Sequence, residues 1–275
     1  PAPLAEFLDA LVRRRRGLRV NVLSWDFAVL YTFEREWLPV YRLGRSTHRR
    51  LSFRLDGEHP LGASHHQKLV VVDDAVAFVG GLDLTRCRWD TTAHRIDEPR
   101  RRDVGGKAYG PFHDVQAAVD GDAARALGQL ARERWQHAGG ECGDIESAGD
   151  PWPASLVPDL TDVDVAIVRT EPAYLGRAAI EETRHWLLDA IAAARHRIFI
   201  ENQYFTASAI GDALAARLEA SDGPEIAVIT GRMQSGWLEE NTMGVLRARL
   251  HRRLRTVDRH GRYRALCPRL PGDGV

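Results

Sequence analysis

Residues 62–74 read Gly-Ala-Ser-His-His-Gln-Lys-Leu-Val-Val-Val-Asp-Asp, and the fold turns on how this stretch is laid out. Gln67–Val72 is largely apolar and β-branched, Asp73-Asp74 interrupts it, and Ala75–Val79 resumes the apolar run. That pattern predicts a hairpin turning at the two aspartates. Alternate side chains of a strand share a face, which sends His66 and Lys68 to one side and His65 and Gln67 to the other. An imidazole beside an ammonium on a rigid strand suits attack on a phosphodiester. The neutral ring is the nucleophile, and the cation stabilises charge on the non-bridging oxygens. An isolated His-x-Lys is more often a structural histidine beside a lysine at a strand edge, so the pair takes its meaning from its surroundings.

Outward from the hairpin, helical and strand patterns alternate. Leu4, Phe7, Leu8 and Leu11 recur at helical spacing over Leu4–Arg14, and Leu18–Trp25 reads as a buried strand. Arg50–Leu55 alternates, and Phe112–Val119 is a further strand ahead of a helix from Ala123 to His137. Gly139–Pro158, rich in Gly, Pro and acidic residues, reads as a linker. Beyond it come a strand (Asp164–Val168), a helix (Ala178–Arg195), a strand (Arg197–Gln203) and a helix (Ile210–Ala220). A strand (Glu225–Thr230), a helix (Leu238–Arg255) and a last strand (Arg262–Cys267) complete the order. This alternation predicts an α/β sandwich of sheets buried between helical layers.

The chain also echoes itself. Ala5–Trp25 reads as helix, basic turn, then strand; Ile210–Gly231 reads as helix, polar turn, then strand. A long arm and a short strand follow each, Arg50–Leu55 in one half and Arg262–Cys267 in the other. The expectation is a duplicated α/β unit: a first half over residues 1–140, a linker over 141–160 and a second half over 161–275. In the first half the short strand leads to Ser-His-His-Gln-Lys; in the second the matching segment is expected at or just beyond Val275. On that reading the chain is cut at both ends.

The chemistry-bearing residues are not isolated. His66-x-Lys68-x4-Asp73, followed by Gly80-Gly81-Leu82-Asp83, resembles the phospholipase D superfamily signature, His-x-Lys-x4-Asp-x6-Gly-Ser/Gly-x-Asn/Asp. Leu84-Thr-Arg-Cys-Arg-Trp-Asp90 is similar to the Asp-Leu-…-Arg-Trp-Asp run of the eukaryotic-type members. Gly110-Pro-Phe-His-Asp-Val-Gln116 is similar to their Pro-Trp-His-Asp-Val segment, with Phe112 in place of Trp. Phe199-Ile-Glu-Asn-Gln-Tyr-Phe205 resembles their Ile-Tyr-Ile-Glu-Asn-Gln-Tyr-Phe strand. Four motifs in order, from Ser64 to Phe205, carry the resemblance, which implies the family's fold: a duplicated sandwich with mixed sheets flanked by helices.

The resemblance also implies roles. His66 would be the nucleophile that forms a phosphohistidine, Lys68 would hold the phosphate, and Asp83 stands where the family has a polar residue near that pocket. Asp114 matches the carboxylate that orients the histidine of the opposite half-site, as a carboxylate does for a catalytic imidazole. Asp73 completes the signature, although strand alternation turns it away from His66, so a turn or ion-pair role is equally open. Asn202 and Gln203, after Glu201 at a strand end, are candidates for substrate contact, with strand-end capping as the alternative. Gly80 and Gly81 would allow close backbone approach to the phosphate. The family uses two copies of the signature, and none of the other histidines of this chain is followed by Lys two residues on. The second half-site is therefore expected from the rest of the chain or from a homodimer partner.

Bulk properties narrow the partners. The chain of 275 residues is 44 % hydrophobic, and Lys+Arg and Asp+Glu balance at 38 each. Zero net charge argues against a dedicated nucleic-acid binder, so no nucleic acid is expected. Cys87, Cys142 and Cys267 lack disulfide or metal-ligand spacing, which favours a reducing compartment. No apolar run approaches the ~20 residues that cross a bilayer, and Pro-Ala-Pro-Leu-Ala-Glu is no signal peptide. The expectation is a cytoplasmic or peripheral membrane enzyme, needing neither metal nor cofactor, that hydrolyses a phospholipid head-group ester. The alternatives are a phosphatidyltransferase of the cardiolipin or phosphatidylserine synthase type, a nuclease of the same superfamily, and an inactive scaffold.

Overall fold

The computed structural model describes residues 4–26, 48–103, 105–143, 145, 149–231 and 243–269. The chain divides into two compact units, one of Pro1–Ile167 with Pro172–Ala179, the other of Val168–Glu171 with Ile180–Val275. Both are α/β, with parallel and antiparallel pairing, and among the described residues no sheet closes into a barrel.

The first unit opens with α1 (Leu4–Arg14) and β1 (Val20–Trp25), and β1 pairs in parallel with β2 (Leu51–Asp56). A separate antiparallel sheet follows, of β3 (Lys68–Val72), β4 (Val76–Gly80) and β5 (Gln116–Asp120), in that order. Asp73 and Asp74 form the β3–β4 turn with φ of 53° and 55°. These two successive positive-φ residues open the three-residue connection between the paired Val72 and Val76, and aspartate is among the few non-glycine residues that tolerate it. β5 runs straight into α2 (Gly121–His137), which lays Ala124 and Leu127 against Ala77 of β4.

The second unit begins with the two-residue ladder of β6 (Thr170–Glu171) and β7 (Ile180–Glu181), then α3 (Glu182–Ala193). β8 (Arg197–Glu201), α4 (Ser208–Glu219), β9 (Glu225–Ile229), α5 (Val245–Val257) and β10 (Tyr263–Leu266) follow. Its three strands lie parallel in the order β10-β9-β8. Ile226 and Val228, two apart on β9, meet Leu214 and Leu218 of α4 and Leu250 and Leu254 of α5 in the core. Parallel strands buried in this way carry apolar runs, which is why these elements were legible from sequence.

The internal echo has a structural counterpart. Arg50 precedes β2 and Arg262 precedes β10. Arg50 reaches the carbonyls at the end of α1, with Val12 O at 2.5 Å and Arg15 O at 2.6 Å. Arg262 reaches those at the end of α4, with Leu218 O at 2.8 Å and Ala220 O also bonded. Their own carbonyls accept from the strand alongside, Val20 N at 2.8 Å in one case and Ile226 N at 2.9 Å in the other. A helix C-terminus has unpaired carbonyls and partial negative charge, so a guanidinium satisfies both at once. The same solution occurs twice, at equivalent points of the same helix–strand–strand pattern.

Three expectations need correction. The strand read as Phe112–Val119 pairs only from Gln116. Asp164–Val168 forms no strand: Ile167 packs against the core of the first unit while Val163 and Val165 stay half exposed. The apolar run is real, but a strand also needs a ladder partner, which local sequence does not reveal. The helix placed from Ala178 starts at Glu182, because Ile180 and Glu181 are used by the β6 ladder. The start of the helix read from Leu238 lies outside the described residues, as does the segment where a second copy of the signature would begin.

Arg50→Met and Arg262→Met should each destabilise their own unit by about 1–3 kcal/mol, the cost of leaving helix-end carbonyls unpaired. Urea unfolding measures it, with exposed Arg259→Met as the near-neutral reference.

Candidate functional site

Antiparallel register assembles the site at one end of the β3-β4-β5 sheet. Lys68 pairs with Gly80 across β3–β4, and Gly80 pairs with Gln116 across β4–β5. His66 lies two residues before Lys68, Asp83 three after Gly80, and Asp114 two before Gln116. All three therefore leave the sheet from the same end. The Asp73-Asp74 turn closes the opposite end, about 16 Å away at roughly 3.3 Å per strand residue.

His66 does not sit within the strand, as alternation suggested. β3 begins at Lys68, and residues 63–67 approach it outside any ladder. The Lys68 side chain is only 9 % exposed, and its ammonium lies 3.1 Å from Asp83 Oδ1. It also donates to the His66 carbonyl at 2.9 Å. Lys68 is thus held on both sides, by a carboxylate beyond β4 and by the main chain of the residue it accompanies. Asp83 acts here as the lysine's counter-ion.

Asp114 is placed by the same register. Gly81 N donates to Val115 O at 3.1 Å, and the Asp114 carboxylate lies where a Cβ on residue 81 would stand. A Cβ on residue 80 would meet Val115 O and Gln116. What comes close at both glycines is the β5 chain and its entering aspartate. Asp114 and Gln116 line an open recess of about 260 Å³ with Leu82, Arg88, Asp90 and His94.

Asp90 organises that recess. Its carboxylate is 4 % exposed and accepts from Arg101 Nη1 and Phe112 N at 2.8 Å, Thr91 N at 2.8 Å and His94 Nδ1 at 3.0 Å. Burial alone would raise the Asp90 pKa; the donors His94, Phe112, Thr91 and Arg101 outweigh it and hold the carboxyl far below the usual range. Arg101 is 1 % exposed and spends its remaining donors on the carbonyls of Arg95, Ile96 and Tyr109. The sequence offers Asp90 as the end of the Arg-Trp-Asp run, while nothing in Arg100-Arg-Arg102 singles out Arg101.

The remaining candidates fall elsewhere. Asp73 is an exposed turn residue at the far end of the sheet. Its neighbour Asp74 pairs with Arg132 of α2 at 2.6 Å. Asn202 follows β8 in the second unit, where its Oδ1 accepts from Tyr204 N at 3.0 Å and Phe205 N at 2.7 Å, the strand-end capping role. Gln203 is exposed beside it. Among the described residues no group of three or more His, Cys, Asp or Glu is placed to hold a metal ion, and no helix is long and apolar enough to cross a membrane.

The face of the signature turned away from His66 has partners of its own. Arg134 of α2 bonds Gln67 Oε1, His65 Nδ1 and Asp56 Oδ2, the last at 2.5 Å. Burial would raise the Asp56 pKa, but His65, Arg134 and Glu58 N hold it well below the ordinary carboxylate range. Neither Asp56 nor Arg134 carried a signal in the sequence.

An α/β frame with a His-x-Lys pair entering an antiparallel sheet narrows the class, and comparison with known proteins agrees. The family model described as Phospholipase D matches residues 48–151, from the approach to β2 to just past α2. "Phospholipase D A" of Dictyostelium discoideum is 26 % identical over 236 residues, covering 73 % of this chain and 18 % of that protein. "Phospholipase D C" of the same organism is 29 % identical over 159 residues, covering 48 % of this chain and 10 % of its own length. "Phospholipase D beta 2" of Arabidopsis thaliana is 29 % identical over 275 residues, covering 71 % and 30 %. Over residues 48–151 the chain is similar to the phospholipase D family, and the relatives extend that similarity over up to about three quarters of its length. It spans less than a third of the length of these three relatives.

Asp90→Asn should cost about 3–5 kcal/mol at neutral pH, because Arg101 would stay buried without its counter-ion. The depressed Asp90 pKa means the carboxylate's stabilisation is complete above the unfolded value near 3.9 and is lost as pH falls through the folded value. Wild-type stability should therefore drop on acidification below about pH 4, and the Asn variant should show a shallower acid limb; urea midpoints across pH measure both.

Proposed function

We propose that this chain carries one half-site of a phospholipase D-type phosphodiesterase that hydrolyses a phospholipid head-group ester through a phosphohistidine on His66. The observation that carries the reading is the convergence of His66, Lys68, Asp83 and Asp114 at one sheet end, within the segment matched by the family model. The names of the relatives support the substrate class.

A ring nitrogen of His66 attacks phosphorus, a P–N bond forms, and the P–O bond to the head-group alcohol breaks. Lys68, with two of its donors on Asp83 and the His66 carbonyl, turns its remaining N–H to a non-bridging oxygen as charge grows there. The leaving alkoxide takes a proton from a general acid. In the resembled mechanism that acid is the histidine of a second signature, which residues 1–275 do not contain and which Asp114 would orient. Water then attacks phosphorus and gives a proton back to that acid, the P–N bond breaks, and phosphatidate leaves with His66 restored. Asp73 acts as a turn residue, and a phospholipid substrate places the enzyme in peripheral contact with a membrane surface.

The test is the full-length protein on labelled phosphatidylcholine with and without a primary alcohol. Phosphatidate without alcohol and phosphatidylalcohol with it support the reading; product only in the presence of an acceptor alcohol favours the phosphatidyltransferase. His66→Asn should abolish turnover, and mass spectrometry of the quenched wild-type reaction should find phosphorus on His66; an adduct on another histidine alone would reverse the assignment. Lys68→Ala should lose on the order of 10²–10³ in rate. A near-normal Lys68→Ala rate would return that lysine to a structural role.

A further inference from the structure

We propose that Arg134 is a positioning residue for this reaction: through His65, Gln67 and Asp56 it fixes the main chain that carries His66 and Lys68. The proposal rests on the phosphodiester reading above and adds a residue remote from the signature in sequence.

Among the described residues, 63–67 lie outside any ladder, and β3 pairs with β4 alone. Backbone pairing therefore stops at Lys68, and the placement of His66 falls to side chains. His65 and Gln67 bracket it, and both turn to Arg134. Arginine has no acceptor, so His65 Nδ1 accepts from the guanidinium and the ring proton sits on Nε2, 3.3 Å from Asp56 Oδ1. The ring is braced from another side by His59, edge-on with centroids 5.2 Å apart.

The anchor is rigid. Asp56, 2 % exposed, ends β2 and also accepts from Glu58 N at 3.1 Å. Arg134 stands on α2, whose Leu127 and Ala124 are buried against β4. From the same helix Arg132 holds Asp74 at the far end of β3. One helix thus clasps the hairpin at both ends. A lysine could not do this, because three acceptors from two segments need a planar fork of donors. The His66 carbonyl is also a Lys68 acceptor, so a shift of residues 65–67 displaces nucleophile and cation together. A misplacement of about 1 Å costs on the order of 10² in rate.

The experiment uses the full-length protein with Arg134→Ala and Arg134→Lys, measuring kcat, KM, thermal midpoint and amine labelling of Lys68. Lys107, exposed in the same chain, is the labelling reference. Arg134→Ala should lose about 10- to 100-fold in kcat with KM within about threefold. Lys68 should label faster than in wild type. Millimolar guanidinium, far below denaturing levels, should restore much of both in Arg134→Ala and nothing in His66→Asn. Arg134→Lys should keep the wild-type thermal midpoint yet remain at least about fivefold slow, which covers the case of Arg134→Ala failing to fold. A kcat within twofold of wild type with unchanged Lys68 labelling overturns the proposal. So does a loss that guanidinium does not rescue and that follows the thermal midpoint. If wild type itself turns over no phospholipid, the phosphodiester reading fails, while Lys68 labelling still decides whether Arg134 sets the strand.

Discussion

The register of one small antiparallel sheet is the constraint on which the site depends. Lys68, Gly80 and Gln116 sit side by side across β3, β4 and β5, and every chemistry-bearing residue of the first unit lies within three positions of one of them. A slip of one residue would turn Lys68 away from Asp83 and move Asp114 off Gly81. The register is pinned by the positive-φ Asp73-Asp74 turn at one end. At the other, no side chain fits at Gly80 and Gly81.

Much of this was legible because it is local. The hairpin follows from an apolar run broken by two aspartates, and the face shared by His65 and Gln67 follows from period-two geometry. Their common partner was not legible. Arg134 lies 78 residues from Asp56 and 69 from His65, and nothing in the composition of Arg132-Glu-Arg-Trp135 marks one arginine as an anchor. Arg101 is a similar case: within Arg100-Arg-Arg102 the sequence shows three equivalent cations, while burial singles out the middle one. Asp164–Val168 shows the complementary failure, where an apolar run joins no ladder among the described residues.

Basic residues are used unevenly. Of the 38 in the chain only Lys68 and Lys107 are lysines. Where several acceptors must be joined at fixed angles, as at Arg50, Arg101, Arg134 and Arg262, the residue is arginine, whose fork loses little freedom per bond formed. Lys68 has a different task. A compact ammonium with three rotatable donors can keep two on Asp83 and the His66 carbonyl and still swing one toward a ligand oxygen, which a guanidinium wedged beside β4 could not do without moving its partners. Scarcity of lysine is thus a sequence signal in its own right, readable once structural cations are understood to favour arginine.

Two carboxylates of the first unit with little-exposed side chains, Asp56 and Asp90, do not belong to the reaction. Each lies in a setting where burial raises its pKa and hydrogen bonds lower it further still. Desolvation offsets much of the attraction in such pairs, so their net contribution to stability is small, while losing one partner is expensive. That asymmetry makes them suited to fixing position. Any displacement of the segment bearing His66, or of the loop bearing Asp114, must first separate a buried charge from its donors. The site can therefore be rigid even though residues 63–67 have no ladder of their own, because the cost of deforming it is set by electrostatics behind the reacting face rather than by hydrogen bonds along it.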